Sequence, residues 1–335
     1  MPKAELHVHL EGCLEPELLF ALARRNGVAI PWGSVEELRA AYRFDDLSAF
    51  LELYFAGCQV LVQQEDFYDL TRAYLARAHA DGVVHAEMFL GPQSFTERDV
   101  PMGSVLGGIL DAIEDARVET GISGSLLVSA HRHRDESDAF ALLDEVQPWA
   151  DRIAGFGMGG VEIGNPPKKF ARYFDELRRQ GFRTCVHAGE EGPADYVRQA
   201  HEVLGADRID HGIAVLDDNS LVKDIADAGT PLTVCPVSNV RLNVVPELSA
   251  HPLPRMLAAG LNVSLHSDDP AYFGAYASDT YAAVAAQLGL DAVALAGLAA
   301  NSVRSSFLPE SERQRLLTHI DDTVRHRPRQ EHNEA

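Results

Sequence analysis

The chain has 335 residues, 46% of them hydrophobic, ample for a large buried core. Its 29 basic and 50 acidic residues give a formal net charge of -21, which repels phosphate backbones, so a small-molecule substrate is expected and no nucleic-acid polymer. Four scattered cysteines, Cys13, Cys58, Cys185 and Cys235, lack CxxC spacing and read as reduced thiols of a cytoplasmic protein. No basic stretch followed by an apolar one opens the chain and no apolar run approaches bilayer length, so no membrane partner is expected.

In chain order, short apolar runs rich in β-branched residues alternate with longer segments of helical spacing, the pattern of a parallel sheet wrapped by helices. The runs are Ala4–His9, Val83–Phe89, Ile122–Ser129, Ile153–Met158, Phe182–His187, Arg208–His211, Pro231–Cys235 and Leu261–Ser267. Helical stretches between them include Pro16–Asn26, Asp66–Asp81, Met102–Thr120, Lys168–Gln180, Asp217–Ala228 and Pro252–Ala259. Eight strand-helix units predict an α/β fold, a closed (β/α)8 TIM barrel.

A helical insertion, Val35–Val62, follows the first unit. Its Phe50, Leu51, Leu53, Tyr54 and Phe55 make an apolar face that suits either packing or a pocket lid. Such a face could serve a lid or a dimer equally, which leaves the oligomeric state open. No repeat or linker divides the chain, so residues 1–325 are expected to form one domain and residues 326–335 a flexible tail. The stretch from His319 onward, rich in His, Arg and Glu, is expected to fray, and its histidines are left out of any site.

Active sites of such barrels form at the C-terminal ends of the strands. His7 and His9 alternate with Leu6 and Val8, so a period of two puts both imidazoles on one inward face. His187 ends the fifth run, His211 ends the sixth, and Asp268 and Asp269 follow the eighth. A lone strand-end histidine is usually structural, but this convergence is not explained that way. His7, His9, His187 and Asp268 supply N and O ligands suited to zinc, one ion per chain. A catalytic zinc keeps a further position for water and lowers its pKa toward about 7.

Glu190 lies three residues past His187 in His-Ala-Gly-Glu-Glu-Gly and is the candidate acid, with Glu191 expected to face solvent. His211 and Asp269 can hold the activated water and accept its proton. His131 and His133 share the His-x-His spacing but are expected in a polar loop beyond the third run, without metal.

The segments AELHVHLEG (4–12), HAGEEG (187–192), RIDHG (208–212), TVCPVSN (233–239) and SDDPAYFG (267–274) together resemble the adenosine and adenine deaminases of the amidohydrolase superfamily. They occur in family order and span nearly the whole chain. The resemblance implies that His7, His9, His187 and Asp268 bind one zinc and that Glu190 donates a proton to purine N1. It further implies that His211 orients or deprotonates the water, and that Asp269 contacts that water and purine N7. The implied reaction is hydroxide attack at C6, a tetrahedral intermediate and loss of ammonia.

VHAEMFLGPQSFT (84–96) is more similar to the free-base adenine deaminases, which makes adenine, giving hypoxanthine, the first substrate. One departure is Gly157–Gly164, where a Gly159-Gly160 pair replaces the Asp-Ser-Ser-Glu usual in adenine deaminases. It resembles enzymes acting on larger aminopurine nucleosides, of the adenosine or aminodeoxyfutalosine type. Gly160, by its N–H, and Glu162, by its carboxyl, are the implied contacts to the purine N3 and N9 edge. An N6-substituted adenine is the other alternative substrate. A non-enzymatic barrel scaffold would have lost at least one of these chemical residues.

Overall fold

Parity along the first strand sets the architecture. Ala4, Leu6 and Val8 face one way and Glu5, His7 and His9 the other, all in β1 (Lys3–His9). A computed structural model describes residues 1–325. It continues with β2 (Val83–Leu90), β3 (Ser123–His131), β4 (Ile153–Gly159), β5 (Arg183–Ala188), β6 (Arg208–His211), β7 (Leu232–Val234) and β8 (Val263–Leu265). The strands lie in sequence order in one sheet, and every neighbouring pair is parallel. The ring closes where Val8 bridges Asp268: Asp268 N donates to His7 O at 3.0 Å and His9 N to Asp268 O at 2.8 Å. This is the expected (β/α)8 barrel.

Parallel neighbours require crossover connections, and helices supply them. Pro16–Asn26 and Met102–Thr120 have the expected bounds, each closed by a left-handed glycine, Gly27 and Gly121. The insertion forms two helices, Val35–Ala41 and Leu47–Cys58, whose first turns are capped by the side chains of Ser34 and Asp46. The main apolar core, including Leu6, Val8, Phe67, Ile109 and Phe174, packs between strands and helices. Phe89, Leu127 and Cys185 form a separate cluster. Arg208 Nη1 meets Glu87 Oε2 at 2.6 Å, and both side chains are fully buried.

Three expectations change. β3 runs on to His131 because its ladder with β4 continues to the His131–Gly159 pair, so His131 is a strand residue and not part of a polar loop. β8 stops at Leu265, where the backbone leaves its ladder to bring Asp268 against β1. The stretch His319–Arg325 is helical, within Glu310–Arg325. Leu316 and Ile320 are buried there, and Glu310–Gln314 and Glu312–Arg315 bonds line the exposed side. Residues 326–335, expected as a tail, lie outside the described residues. Among the described residues no helix is long and apolar enough to cross a membrane.

Among the buried histidines, His251 couples stability to pH. Buried His251 accepts the Leu253 N–H at Nδ1 (3.1 Å), which requires an unprotonated Nδ1, and its Nε2 lies 3.2 Å from Asn239 Oδ1. Burial lowers its pKa from 6.5 to about 4. A folded pKa below the unfolded one gives stability that is complete above about 6.5 and lost as pH falls through about 4, on the order of 3 kcal/mol. His251→Leu should therefore lower Tm at pH 7 and flatten its fall between pH 6.5 and 4. Equal slopes in both proteins would contradict this assignment.

Candidate active site and metal centre

Polar groups converge at the C-terminal ends of the strands under the inserted helix. The cavity there has a floor of His9, His187, Glu190, His211, Asp268 and Asp269, and a roof of Leu47, Phe50, Leu51, Tyr54, Phe55 and Leu242. Ser129, His131, Gly159 and Gly160 complete one wall. Leu47–Cys58 thus serves as a lid as well as packing surface, although Leu53 does not line the cavity. The lid is held at its start: Arg241 Nη2 donates to Tyr42 O (3.1 Å), and Asn243 Nδ2 to Phe44 O and Asp45 O (3.0 and 3.1 Å). Leu47 N donates to Glu191 Oε1 at 3.4 Å, so Glu191 meets the lid instead of pointing away to solvent.

The four expected metal ligands come together. Asp268 Oδ1 lies 3.4 Å from both His7 Nε2 and His9 Nε2, and His9 Nε2 lies 3.1 Å from His187 Nε2. The ligand atoms of His7, His9 and His187 all fall within 4.8 Å of one another, and Asp268 shares such a group with His9 and Asp269. His7 Nδ1 lies 3.1 Å from Thr233 O; a carbonyl only accepts, so Nδ1 carries the hydrogen and Nε2 is left as a lone pair. That Nε2 is buried without a hydrogen-bond partner. His187 Nδ1 lies 3.2 Å from Asp210 Oδ2, which likewise leaves Nε2 directed into the cluster. Ser238 Oγ donates to Asp268 Oδ2 at 2.6 Å, turning the other oxygen toward the histidines. Three imidazole nitrogens and a carboxylate oxygen with an orphaned buried lone pair among them fit a divalent metal.

Ser238, Asp210 and Thr233 were not singled out from sequence, although all three lie within the TVCPVSN and RIDHG segments. Cys235 Sγ approaches the ligand atoms of His7 and Asp268, and its thiol donates to Thr233 O at 3.8 Å. His131 and His133 stack on each other at 5.3 Å and enter no metal-binding group among the described residues. His131 instead faces the cavity, where burial holds its pKa down at about 3 and keeps the ring neutral.

Glu190 is buried, with Oε2 3.4 Å from His211 Nε2 and Oε1 unpartnered. Burial, then the charges of Asp268 and Glu162, push its carboxyl well above the usual range, which favours the protonated form. His211 Nε2 also lies 3.9 Å from Asp268 Oδ2. Both His211 (φ 64°) and Asp268 (φ 66°) adopt left-handed backbone that non-glycine residues seldom take, strain that clusters at functional sites. Asp269 Oδ1 is buried without a partner. It packs so close to Gly12 that a Cβ there would stand 2.0 Å from it, so the AELHVHLEG segment ends on a glycine.

Gly160 lines the cavity with φ 96°, a left-handed backbone that favours glycine. Glu162 does not face the cavity. Its Oε1 accepts Gly189 N (2.7 Å) and its Oε2 accepts Glu190 N, Glu191 N and Gly192 N (3.1, 2.8 and 2.9 Å). The carboxyl is turned into the backbone of residues 189–192 and is not among the cavity-lining residues, so the structure does not bring it to the purine contact expected from sequence.

Known proteins resemble this chain along nearly its whole length. An adenine deaminase from Rhodopseudomonas palustris is 52% identical over 322 residues, covering 96% of this chain and 94% of the relative. The crystal structure of an adenine deaminase from Arthrobacter aurescens superposes with a TM-score of 0.95 at 46% identity, covering 97% of this chain and 99% of that one. An amidohydrolase from Burkholderia ambifaria, described with bound Zn, superposes with a TM-score of 0.89 at 27% identity, covering 97% and 93%. Residues 2–323 match the adenosine deaminase family, and the chain belongs to it.

Proposed function

We propose that the chain is a hydrolase that converts adenine and water to hypoxanthine and ammonia. The observation that carries this reading is a buried Glu190 carboxyl 3.4 Å from His211, beside a preformed cluster of metal-directed donors, all beneath an apolar lid. The 52% identical adenine deaminase, aligned over 96% of the chain, supports the choice of substrate. His7, His9, His187 and Asp268 would hold one metal per chain, and their donor chemistry favours zinc. When bound, zinc supplies a water nucleophile usable at neutral pH.

The protein groups then divide the proton transfers. Water adds across the N1–C6 bond of the base as Glu190 gives its proton to N1. His211, neutral because burial and the neighbouring histidines lower its pKa, takes a proton from the water. Asp269, with Oδ1 unpartnered, holds that water and purine N7. His211 passes its proton to the exocyclic amine, which leaves as ammonia as the C–N bond breaks, and the C6 hydroxyl gives its proton to Glu190 as the carbonyl forms, restoring both groups. Phe50, Leu51, Tyr54 and Phe55 cover the planar base and exclude bulk water. Gly160 would offer its N–H to the N3 edge. We assign residues 1–325 to one catalytic domain and place the enzyme in the cytoplasm.

A second reading, deamination of an aminopurine nucleoside, is favoured by Gly159-Gly160, which leave that wall free of side chains beside Ser129 and His187. Steady-state assays separate the two. The account predicts kcat/KM for adenine at least about 100-fold above that for adenosine, and kcat reduced at least about 100-fold by Glu190→Gln with zinc retained. Comparable constants for both substrates would favour the nucleoside reading, and retained turnover in Glu190→Gln would remove the acid. Ser238→Ala, which frees the Asp268 carboxylate to rotate, should weaken zinc binding about 10- to 100-fold in competition with a chromophoric chelator. Unchanged affinity would show that Ser238 does not orient the ligand.

A further inference from the structure

The loop that carries Glu190 is wrapped around a carboxylate, and this sets where the proton donor points. Four consecutive backbone N–H groups, those of residues 189–192, converge on Glu162. Successive amides directed at one point form a concave anion-binding arrangement, and here the anion is a side chain of the same protein. Two glycines permit it. Gly189 has φ 74°, and a Cβ on Gly192 would stand 2.6 Å from both Glu162 Oε1 and Tyr196 Cδ2. Between them Glu190 turns toward His211 and Glu191 toward Leu47.

Glu162 is itself braced. Asn165 N donates to Glu162 O at 3.0 Å, closing a tight turn. Arg132, fully buried, donates from Nε and Nη2 to Asn165 O (3.0 and 2.7 Å) and from Nη1 to His187 O (2.6 Å). Its Nη1 stands 4.0 Å from Glu162 Oε1. One guanidinium therefore ties the turn bearing Glu162 to the end of β5, where the expected ligand His187 sits.

We propose that Glu162, braced by Arg132, is a positioning residue that orients the Glu190 carboxyl through the backbone of residues 189–192 without touching substrate. This rests on the reading of Glu190 as proton donor. Neutral glutamine cannot replace it: an amide has one acceptor oxygen, and its NH2 opposes the incoming N–H groups. The resulting error falls on the direction of proton delivery while the cavity that binds the base keeps its walls. The expected signature is lost kcat with KM preserved.

The test compares zinc-loaded Glu162→Gln, Gly192→Ala and Glu190→Gln with the parent, measuring kcat, KM for adenine and bound zinc. Glu162→Gln should lose about 100-fold in kcat, with KM within about threefold and zinc content unchanged. Gly192→Ala pushes the loop off the same carboxylate with Glu162 intact and should reproduce the split, which keeps the test decisive if Glu162→Gln does not fold. A kcat within threefold of the parent in Glu162→Gln, or in Gly192→Ala if the former does not fold, with Glu190→Gln inactive, overturns the inference. So does a tenfold or larger rise in KM at unchanged kcat, which would return Glu162 to the substrate. Retained turnover in Glu190→Gln removes the proton-donor reading and this inference with it, a result distinct from the others.

Discussion

The pairing of β1 with the chain beyond β8 closes the barrel and assembles the site in the same two hydrogen bonds. Asp268 donates its N–H to His7 O and accepts the His9 N–H, and its side chain meets both imidazoles. Closure thus binds the sheet's first strand to the loop that carries the fourth donor. The left-handed backbone at Asp268 is the local cost, and such residues persist only where their surroundings over-determine them. Ser238 on one carboxylate oxygen and the two imidazoles near the other supply that surrounding.

Three of the four donors, His7, His187 and Asp268, have a partner behind them. Thr233 sets the hydrogen on His7, Asp210 faces Nδ1 of His187, and Thr233 Oγ1 in turn donates to Asp210 Oδ1 at 2.7 Å. Glu190, the proposed acid, is held differently, through main chain. Hydrogen bonds to a charged acceptor contribute about 1.5 to 3 kcal/mol each, so four of them on Glu162 outweigh any one contact made by Glu190 itself. Rigid support of this kind suits a site whose catalytic advantage comes from placing a proton within a fraction of an ångström. The lid is anchored more lightly, by a few bonds to backbone carbonyls and one to Glu191. That contrast places the freedom to admit a ligand in the roof and not in the floor.

Much of this was legible in the sequence because it follows from periodicity. A spacing of two put His7 and His9 on one face, and strand ends located His187 and His211. Side-chain direction in loops is not periodic. Glu162 therefore looked like a purine contact when it is turned into the Glu190 loop, and Glu191 looked solvent-facing when it meets the lid. His131 was placed in a loop because its neighbours are charged, yet the ladder to Gly159 carries the strand that far. Ser238 and Asp210 act across the barrel on residues 30 and 23 positions away, and pairings of that kind become visible only when the sheet closes.

The central claim is that barrel closure builds one metal centre from His7, His9, His187 and Asp268 beside a proton-donating Glu190. Anomalous diffraction at the zinc edge, from crystals of the zinc-loaded protein soaked with hypoxanthine, tests it most directly. The account predicts one strong peak among those four side chains, with the Glu190 carboxyl hydrogen-bonded to N1 of the base. A principal peak at His131 and His133, or a base bound with Glu190 turned away, would contradict it.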